Sequence, residues 1–261
     1  MLPRGNPCIL PCSYTDAVNA QRLTHPLFAT VLLVLGAVAQ PASAYAMAPR
    51  PVAAAPGTAQ QAEQASDVRL ESPAFRLIVP FRTQKDGSRW QGSNCGPAAL
   101  GMILDGFGIA DQATDDLRFR AHTYQGTVGM RTGTALEHIA HVAEDFGVGT
   151  QGLYNPDGSW HYWEIGDVVS ELRQGHPVMP LVRLYQVPGH EGSLPRWGHY
   201  ILLTGIAPGG FYFSDPLKTD PVAGTSGFIS EWQLKSAIDN SHIPGQALAF
   251  SGPRDLPVWL P

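Results

Sequence analysis

The sequence has few charged residues and no cluster of basic ones. Asp, Glu, Lys and Arg make up 15% of the 261 residues, and the formal net charge is -5 at pH 7. Proteins that grip the backbone of a nucleic acid carry clustered Lys and Arg, so this composition argues against a nucleic-acid partner. Apolar residues make up 44% of the chain, which is enough for a sizeable core and excludes a wholly disordered protein.

The chain also lacks an apolar run of the length that a membrane-spanning helix needs. Residues 27–39 (LFATVLLVLGAVA) are uncharged and mostly apolar, but they number 13, whereas a helical span needs about 20. Arginines precede this run, and small residues follow it at the spacing that signal peptidases cleave. We therefore interpret residues 1–44 as a secretory signal segment, with an uncleaved N-terminal anchor as the alternative. If this segment is cleaved, we expect a secreted or extracytoplasmic protein with no stable membrane span.

Cysteine is scarce, and its count is odd. The chain contains Cys8, Cys12 and Cys95, and the first two lie in the predicted signal segment. A single cysteine in an exported protein either pairs with another molecule or is a reactive thiol. The alternative is a buried Cys95 that packs as a small hydrophobic residue.

Two regions follow the predicted signal segment. Residues 45–67 are rich in Ala, Pro and Gln and have no apolar period, which predicts a flexible tether before a domain formed by residues 68–261. Glycine (28) and proline (23) are abundant, which favours a loop-rich domain. Helices are predicted first and strands later, which indicates an α+β fold. One helix is expected to start at Cys95, and three others are expected over residues 134–146, 164–174 and 230–238. Strands are expected over residues 75–81, 177–185, 199–206, 210–214 and about 246–250.

The surroundings of Cys95 favour a reactive thiolate. In the segment GSNCGPAAL, Asn94 is a good N-cap residue, so Cys95 would be the first residue of a helix. A helix N-terminus carries partial positive charge, which stabilises the thiolate, the nucleophilic form of cysteine. Gly96 has no side chain, and we expect it to leave room for a substrate backbone beside the sulfur.

A thiolate nucleophile needs a base, and the base needs a group that orients it. His199 opens the most apolar predicted strand, and Asp215 ends the next one. The alternatives are a histidine satisfied within the core and an aspartate that only starts an Asp-Pro turn. A three-residue loop (207–209) between the strands would put Asp215 opposite Ile201 and diagonal to His199, at about 7–8 Å, within reach of the two side chains. A two-residue loop would put His199 and Asp215 on opposite faces.

Three segments of the sequence resemble the papain-like cysteine peptidases. They are VPFRTQKDGSRWQGSNCGPAALGMIL, GHYILLTGI and FYFSDP, and the resemblance spans about residues 75–250. It points to the stand-alone, peptidase C39-like relatives of the bacteriocin-processing (double-glycine leader) family. It implies a papain-like fold, in which an N-terminal helix carrying the cysteine packs on an antiparallel sheet carrying the histidine and the aspartate. It also implies the roles of nucleophile for Cys95, base for His199 and orienting residue for Asp215.

The same resemblance implies an oxyanion hole formed by the Cys95 backbone N–H and the side-chain amide of an upstream glutamine. Gln84 matches the pattern of the stand-alone relatives, and Gln91 is the alternative. We expect Trp197, two residues before His199, to form a wall of the substrate cleft. The transporter-fused relatives carry membrane helices and an ATPase motif, which the sequence after residue 39 does not show, so the resemblance does not imply transport.

The sequence therefore predicts an exported cysteine peptidase or amidase that cleaves peptide bonds through a Cys-His-Asp triad and an acyl-enzyme. Two alternatives stay open: a catalytically idle module that binds peptide or cell-wall material, and a transglutaminase-like acyl transferase with the same triad. The expected partner is a peptide or protein substrate. No cofactor is expected, and no metal either, because one cysteine and scattered histidines give no metal-ligand spacing. The sequence does not indicate an oligomeric state.

Overall fold

The computed structural model describes residues 73–109, 112–194 and 197–260. The predicted signal segment (1–44) and the predicted tether (45–67) lie outside the described residues. Within the three described ranges, no helix combines the length and the apolar character that crossing a membrane requires.

Six α-helices are found in the described part of the chain. They are α1 (Cys95–Gly106), α2 (Thr114–Gln125), α3 (Leu136–Asp145), α4 (Ile165–Arg173), α5 (Pro221–Thr225) and α6 (Glu231–Asp239). Every residue of α1 except Asp105 is buried, whereas α2 and α3 pack against α1 and bury only part of their surface. A helix that is buried on all sides belongs to the centre of a core, and α1 has that position here.

Nine strands of the described residues form one antiparallel sheet. They are β1 (Phe75–Leu77), β2 (Gly149–Gln151), β3 (Val178–Arg183), β4 (Gly198–Tyr200), β5 (Leu202–Ala207), β6 (Gly210–Ser214), β7 (Gly227–Ser230), β8 (Ala247–Ser251) and β9 (Val258–Trp259). The main path of the sheet is β2-β8-β3-β5-β1-β9, while β4 pairs with β3, and β6 connects β5 to β7. Helix α1 packs against β4. The predicted α+β, papain-like arrangement of a cysteine-bearing helix on an antiparallel sheet is therefore confirmed.

The predicted helices are present with shifted ends, and α2 and α5 are additional helices. The helix expected over 134–146 begins at Leu136, and no side chain caps its N-terminus. The Thr134 hydroxyl instead lies 3.2 Å from the Nε2 atom of His122. Apolar periodicity does not predict α2, because its buried side includes the polar residues Arg118 and His122.

Two of the predicted strands also differ. The strand expected over 75–81 ends at Leu77, and β1 lies between β5 and β9. The strand expected over 199–206 is divided at Ile201 into β4 and β5. β1 is thus paired with a strand on each side. The break at Ile201 makes β4 a separate strand, which pairs with β3 and packs against α1.

The turn between β5 and β6 is the shorter of the two considered from the sequence. Ala207 pairs with Gly210, so the loop has two residues. In a regular ladder this shorter loop would place His199 and Asp215 on opposite faces of the sheet.

A bulge in β5 between Leu203 and Gly205 restores the predicted register. One extra residue, Thr204, stands in β5 with no residue of its own on β6, and the pairing beyond it shifts by one position. The short loop and the bulge together give the register that a three-residue loop would have given. His199 and Asp215 consequently share one face.

Candidate active site

Cys95 is buried and is the first residue of α1, as predicted. Asn94 occupies the N-cap position, but its side chain does not cap the helix, so that part of the prediction is wrong. The Asn94 side chain instead donates to Asp115 and accepts from Arg118, each at 3.1 Å. The start of the cysteine-bearing helix is therefore tied to α2.

The side chains of His199 and Asp215 are both buried and in contact. The Nε2 atom of His199 lies 2.8 Å from the Oδ1 atom of Asp215, which directly follows β6. The predicted contact between these two side chains is present. Because Nε2 faces Asp215, the other ring nitrogen, Nδ1, is left for the hydrogen bond that His199 forms with the Cys95 side chain.

The surroundings of His199 favour its protonated form. Burial lowers the pKa of His199, but the hydrogen bonds to Asp215 and Cys95, together with the charges of these groups, outweigh burial and raise it to about 9. An unperturbed histidine has a pKa of about 6.5. The imidazole of His199 is therefore positively charged at neutral pH.

A second histidine, His190, bonds the other oxygen of Asp215. The Nε2 atom of His190 lies 2.6 Å from Oδ2, and the Leu217 N–H donates to Oδ1 at 2.9 Å. Burial favours the neutral form of Asp215, but the hydrogen bonds from His190 and His199 hold the pKa of this carboxyl well below its usual range. His190 is not indicated by the sequence, because it lies in a loop without an apolar period or a motif. Only the path of that loop brings it to Asp215.

Gln84 is buried next to the segment that carries Asp215. Its backbone N–H donates to the carbonyl oxygen of Pro216 at 2.7 Å, and its side-chain Nε2 donates to the carbonyl oxygen of Gln91 at 2.9 Å. Gln91 itself is exposed. Of the two glutamines considered for the oxyanion hole, Gln84 is thus the one fixed inside the fold, and its role stays a prediction.

A small pocket lies beside Cys95 and His199. The other residues that line it are Gly133, Thr134, Leu181, Gly198, Tyr200 and His242. The predicted cleft wall, Trp197, is not part of this lining, although its neighbour Gly198 is. His242 is a pocket histidine that sequence patterns do not indicate, because it follows a helix in an irregular segment.

The space beside Gly96 is filled by the protein itself. A Cβ atom at this position would lie 2.6 Å from Cδ1 of Ile139 and 3.2 Å from Cδ2 of Tyr200. The prediction that Gly96 leaves room for a substrate is therefore wrong. The glycine instead lets α1 approach α3 and β4 closely.

The arrangement can supply a nucleophile and a proton donor at one place. Cys95 lies at a helix N-terminus, where partial positive charge stabilises a thiolate, and His199 holds a proton within hydrogen-bond distance of the sulfur. In the described ranges, no group of three or more His, Cys, Asp and Glu side chains could hold a metal ion. A helix-start cysteine paired with a sheet histidine is the site of the papain-like cysteine peptidase class.

Within this class, the chain belongs to the peptidase C39 like family, whose model matches residues 76–236. The matched range includes Cys95, His199 and Asp215. No curated protein matches the chain significantly in sequence.

Several solved structures are similar to the chain at low sequence identity. A C39-like peptidase from Bacillus anthracis is 15% identical, over 69% of this chain and 98% of that chain, with a TM-score of 0.47. A double-glycine motif protease from an AMS/PCAT transporter, in complex with the leader peptide, is 16% identical, over 68% and 94% of the two chains, with a TM-score of 0.41. Xylellain, a cysteine protease from Xylella fastidiosa, is 12% identical, over 74% and 90%, with a TM-score of 0.46.

Proposed function

We propose that this protein is an exported cysteine peptidase that hydrolyses peptide bonds through Cys95, His199 and Asp215. One observation carries the proposal: the side chain of Cys95 is hydrogen-bonded to His199, and His199 contacts Asp215 at 2.8 Å. The peptidase C39 like family supports the same reaction class. Export rests on the apolar run before residue 44, which has the length and flanks of a secretory signal.

The acylation step follows from the charges of the pair. With His199 protonated at neutral pH, Cys95 is a thiolate, and its sulfur attacks the carbonyl carbon of the scissile peptide bond. The C–N bond breaks, the acyl group stays on the sulfur, and the Nδ1 proton of His199 passes to the leaving amine. Asp215 holds the ring through Nε2, so that Nδ1 keeps facing the sulfur.

The second half of the reaction regenerates the thiolate. His199, now neutral, takes a proton from water, and the resulting hydroxide attacks the thioester carbonyl and releases the acid. In both steps a negative oxygen develops on the carbonyl. We assign its stabilisation to the backbone N–H of Cys95 and to the amide of Gln84, whose Nε2 carries two N–H groups, one of which donates to Gln91.

The proposed mechanism is tested with Cys95→Ala and His199→Ala in the full-length protein. Cleavage of a peptide library is followed by mass spectrometry, and we expect each variant to lose cleavage by at least about 10³-fold, because members of one triad act as a unit. His176→Ala is the matched control. It removes another histidine bonded to a carboxylate, that of Glu171 at 2.8 Å, outside the pocket, and should cleave as the wild type does.

Full cleavage by Cys95→Ala would refute the mechanism. Wild-type protein that binds library peptides and cleaves none would identify an idle binding module instead. Conjugates that form only when an amine is added would identify acyl transfer in place of hydrolysis.

A further inference from the structure

Two histidines bond the two oxygens of one carboxylate. His190, in the loop between β3 and β4, places Nε2 at 2.6 Å from Oδ2 of Asp215, and its side chain is only 11% exposed. The Nε2 atom of His199 lies 2.8 Å from Oδ1, and the centres of the two imidazole rings are 6.3 Å apart. His190 does not line the pocket beside Cys95. It therefore contacts the group that orients the proposed base, and not the reacting atoms.

A carboxylate bonded at one oxygen only can rotate away from the base that it orients. Asp215 is held by His199 and by the Leu217 N–H on Oδ1, and by His190 on Oδ2. The hydrogen bonds from His190 and His199 both lower the pKa of Asp215. Removal of His190 would free Oδ2, and the charge on Asp215 would be less firmly fixed opposite His199.

The backbone of the loop fixes the position of His190. Its N–H donates to the carbonyl oxygen of Val187 at 3.0 Å, and its carbonyl oxygen accepts from the Ser193 N–H at 2.9 Å. Val187 is fully buried in the core. The loop thus presents the imidazole to Asp215 as a preformed donor.

We propose that His190 is a positioning residue, which holds Asp215 in the orientation that supports the charged His199 opposite the Cys95 thiolate. This inference rests on the proposed cysteine peptidase function. It adds a residue whose effect on the sulfur passes through three hydrogen bonds: His190 to Asp215, Asp215 to His199, and His199 to Cys95.

Within the described part of the chain, the charged and titratable groups near these two imidazoles form a small set. Around His199 they are Asp215, Cys95 and His190, with His242 and Tyr200 in the same pocket. Around His190 they are Asp215, His199, Glu191 and, beside Glu191, Lys218. Glu191 is exposed and Lys218 is partly exposed, so water screens both charges. Asp215 is buried and contacts both rings, so water screens its charge little at either of them.

The test measures the rate at which iodoacetate alkylates Cys95 in the full-length protein as a function of pH. Iodoacetate is an anion, so it reacts fastest while Cys95 is a thiolate and His199 is still positively charged. The alkylation rate plotted against pH is therefore bell-shaped. The upper limb of the bell reports the loss of the His199 proton. Peptide mapping assigns the label to Cys95, because the chain also contains Cys8 and Cys12.

His190→Leu removes the donor to Asp215. We expect the high-pH limb of the profile to move to lower pH by roughly one unit, which narrows the bell, and the maximal rate to fall several-fold. The reason is that Asp215 then stabilises the positive charge of His199 less strongly. His190→Gln keeps an N–H at about the reach of Nε2 and should restore a profile near that of the wild type. If His190→Leu does not fold, His190→Asn, whose amide is too short to reach Asp215, replaces it.

His176→Leu is the control, since it removes a histidine bonded to Glu171 and should leave the profile unchanged. A wild-type profile in His190→Leu would overturn the positioning role, and so would a His190→Gln profile as impaired as that of His190→Leu. Wild-type protein that reacts only as an ordinary thiol, near pH 8.5, would overturn the proposed function and this inference together. The two failures are distinguishable, because only the second is visible in the wild-type protein.

Discussion

Gly96 determines how closely the cysteine-bearing helix approaches its neighbours. The nearest atom to a Cβ at this position would be Cδ1 of Ile139, at 2.6 Å, followed by Cδ2 of Tyr200, at 3.2 Å. A contact of 2.6 Å between carbon atoms is strongly repulsive, so a larger residue must displace α1 or its neighbours. Because Cys95 directly precedes Gly96, such a displacement would move the sulfur relative to His199.

We predict that Gly96→Ala lowers the free energy of unfolding by about 1–3 kcal/mol and slows the alkylation of Cys95, because the added methyl group overpacks the core. Ile139→Val deletes the Cδ1 atom that the methyl group meets, and by itself costs about 0.5–1.5 kcal/mol. The double variant should therefore lose less unfolding free energy than the two single variants lose in sum, by at least about 0.5 kcal/mol. Urea unfolding and the iodoacetate rate measure the two effects.

Gly92→Ala is the matched control for this prediction. Gly92 lies three residues before Cys95, and no atom lies within 4 Å of a Cβ added there. We expect it to change neither stability nor alkylation. Additive effects of Gly96→Ala and Ile139→Val would contradict the packing explanation.

Residues with a strong local context are predictable from the sequence, and residues positioned by irregular loops are not. Cys95 begins α1, His199 lies in β4 and Asp215 directly follows β6, so helix and strand patterns limit their surroundings. His190 and His242 lie in irregular segments, and their positions depend on the path of the whole chain. Their neighbours along the sequence carry no information on which carboxylate or pocket they reach.

At the scale of secondary structure, the hairpin of β5 and β6 shows that loop length alone does not determine which side chains share a face of the sheet. A three-residue loop predicts that His199 and Asp215 share a face, and they do, but the loop has two residues. The bulge at Thr204 supplies the missing shift of one position. Thr204 is buried in an apolar strand, and the sequence signal for the bulge is its neighbour Gly205, since an isolated glycine within a strand often marks a bulge.

Helix α2 stabilises the site through one buried arginine. Arg118 is 3% exposed, and its guanidinium donates to the carbonyl oxygens of Ser93, Met130 and Thr132 and to the side chain of Asn94, at 2.9–3.2 Å. These acceptors belong to two loops, one before Cys95 and one before the pocket residues 133–134. A single side chain therefore holds both loops to α2.

We predict that Arg118→Lys lowers the free energy of unfolding by about 1–3 kcal/mol, because an ammonium group cannot reach acceptors on two loops with the planar fork of a guanidinium. Hydrogen exchange should become faster in residues 91–94 and 128–134, and alkylation of Cys95 should slow down. Urea unfolding, hydrogen exchange and the iodoacetate rate measure these effects.

Arg120→Lys, on the exposed side of the same helix, is the control and should change stability by less than about 0.5 kcal/mol. Arg120 contacts the ring of Phe146 and lies on neither loop. Faster exchange spread over the whole protein in Arg118→Lys, without a larger effect on the two loops, would argue against the proposed anchoring.

At the scale of the whole molecule, stability in acid depends on two buried groups that act in consecutive pH ranges. The pKa of Asp215 is lowered, so its contribution to stability is present above its ordinary pKa of about 3.9 and is lost at lower pH. Burial, together with the charge of Arg118, lowers the pKa of His122 to about 4. Below pH 6.5 the unfolded chain binds a proton at His122 that the folded protein does not bind until about pH 4, so stability falls over this range.

The neutral ring of His122 is part of a network that reaches the pocket. Its Nδ1 atom lies 2.9 Å from the Thr127 hydroxyl, and its Nε2 atom lies 3.2 Å from the hydroxyl of Thr134, which lines the pocket. The carbonyl oxygen of Thr134 accepts from the hydroxyl of Tyr200, in the strand of His199. Protonation of His122 would place a charge beside Arg118 and disturb this wall of the pocket.

We therefore predict that His122→Gln removes much of the acid sensitivity of the fold. Between pH 6.5 and pH 4 the wild type should lose up to about 3 kcal/mol of unfolding free energy that His122→Gln does not lose, since a pKa shift of one unit corresponds to about 1.4 kcal/mol. Urea unfolding of both proteins at several pH values measures this difference, in which the active-site groups cancel because both proteins contain them. His141→Gln, which replaces an exposed histidine of α3, should show the pH dependence of the wild type. Parallel stability curves for the wild type and His122→Gln would show that His122 is not the group that titrates, and the acid sensitivity would then have to arise from other groups of the domain.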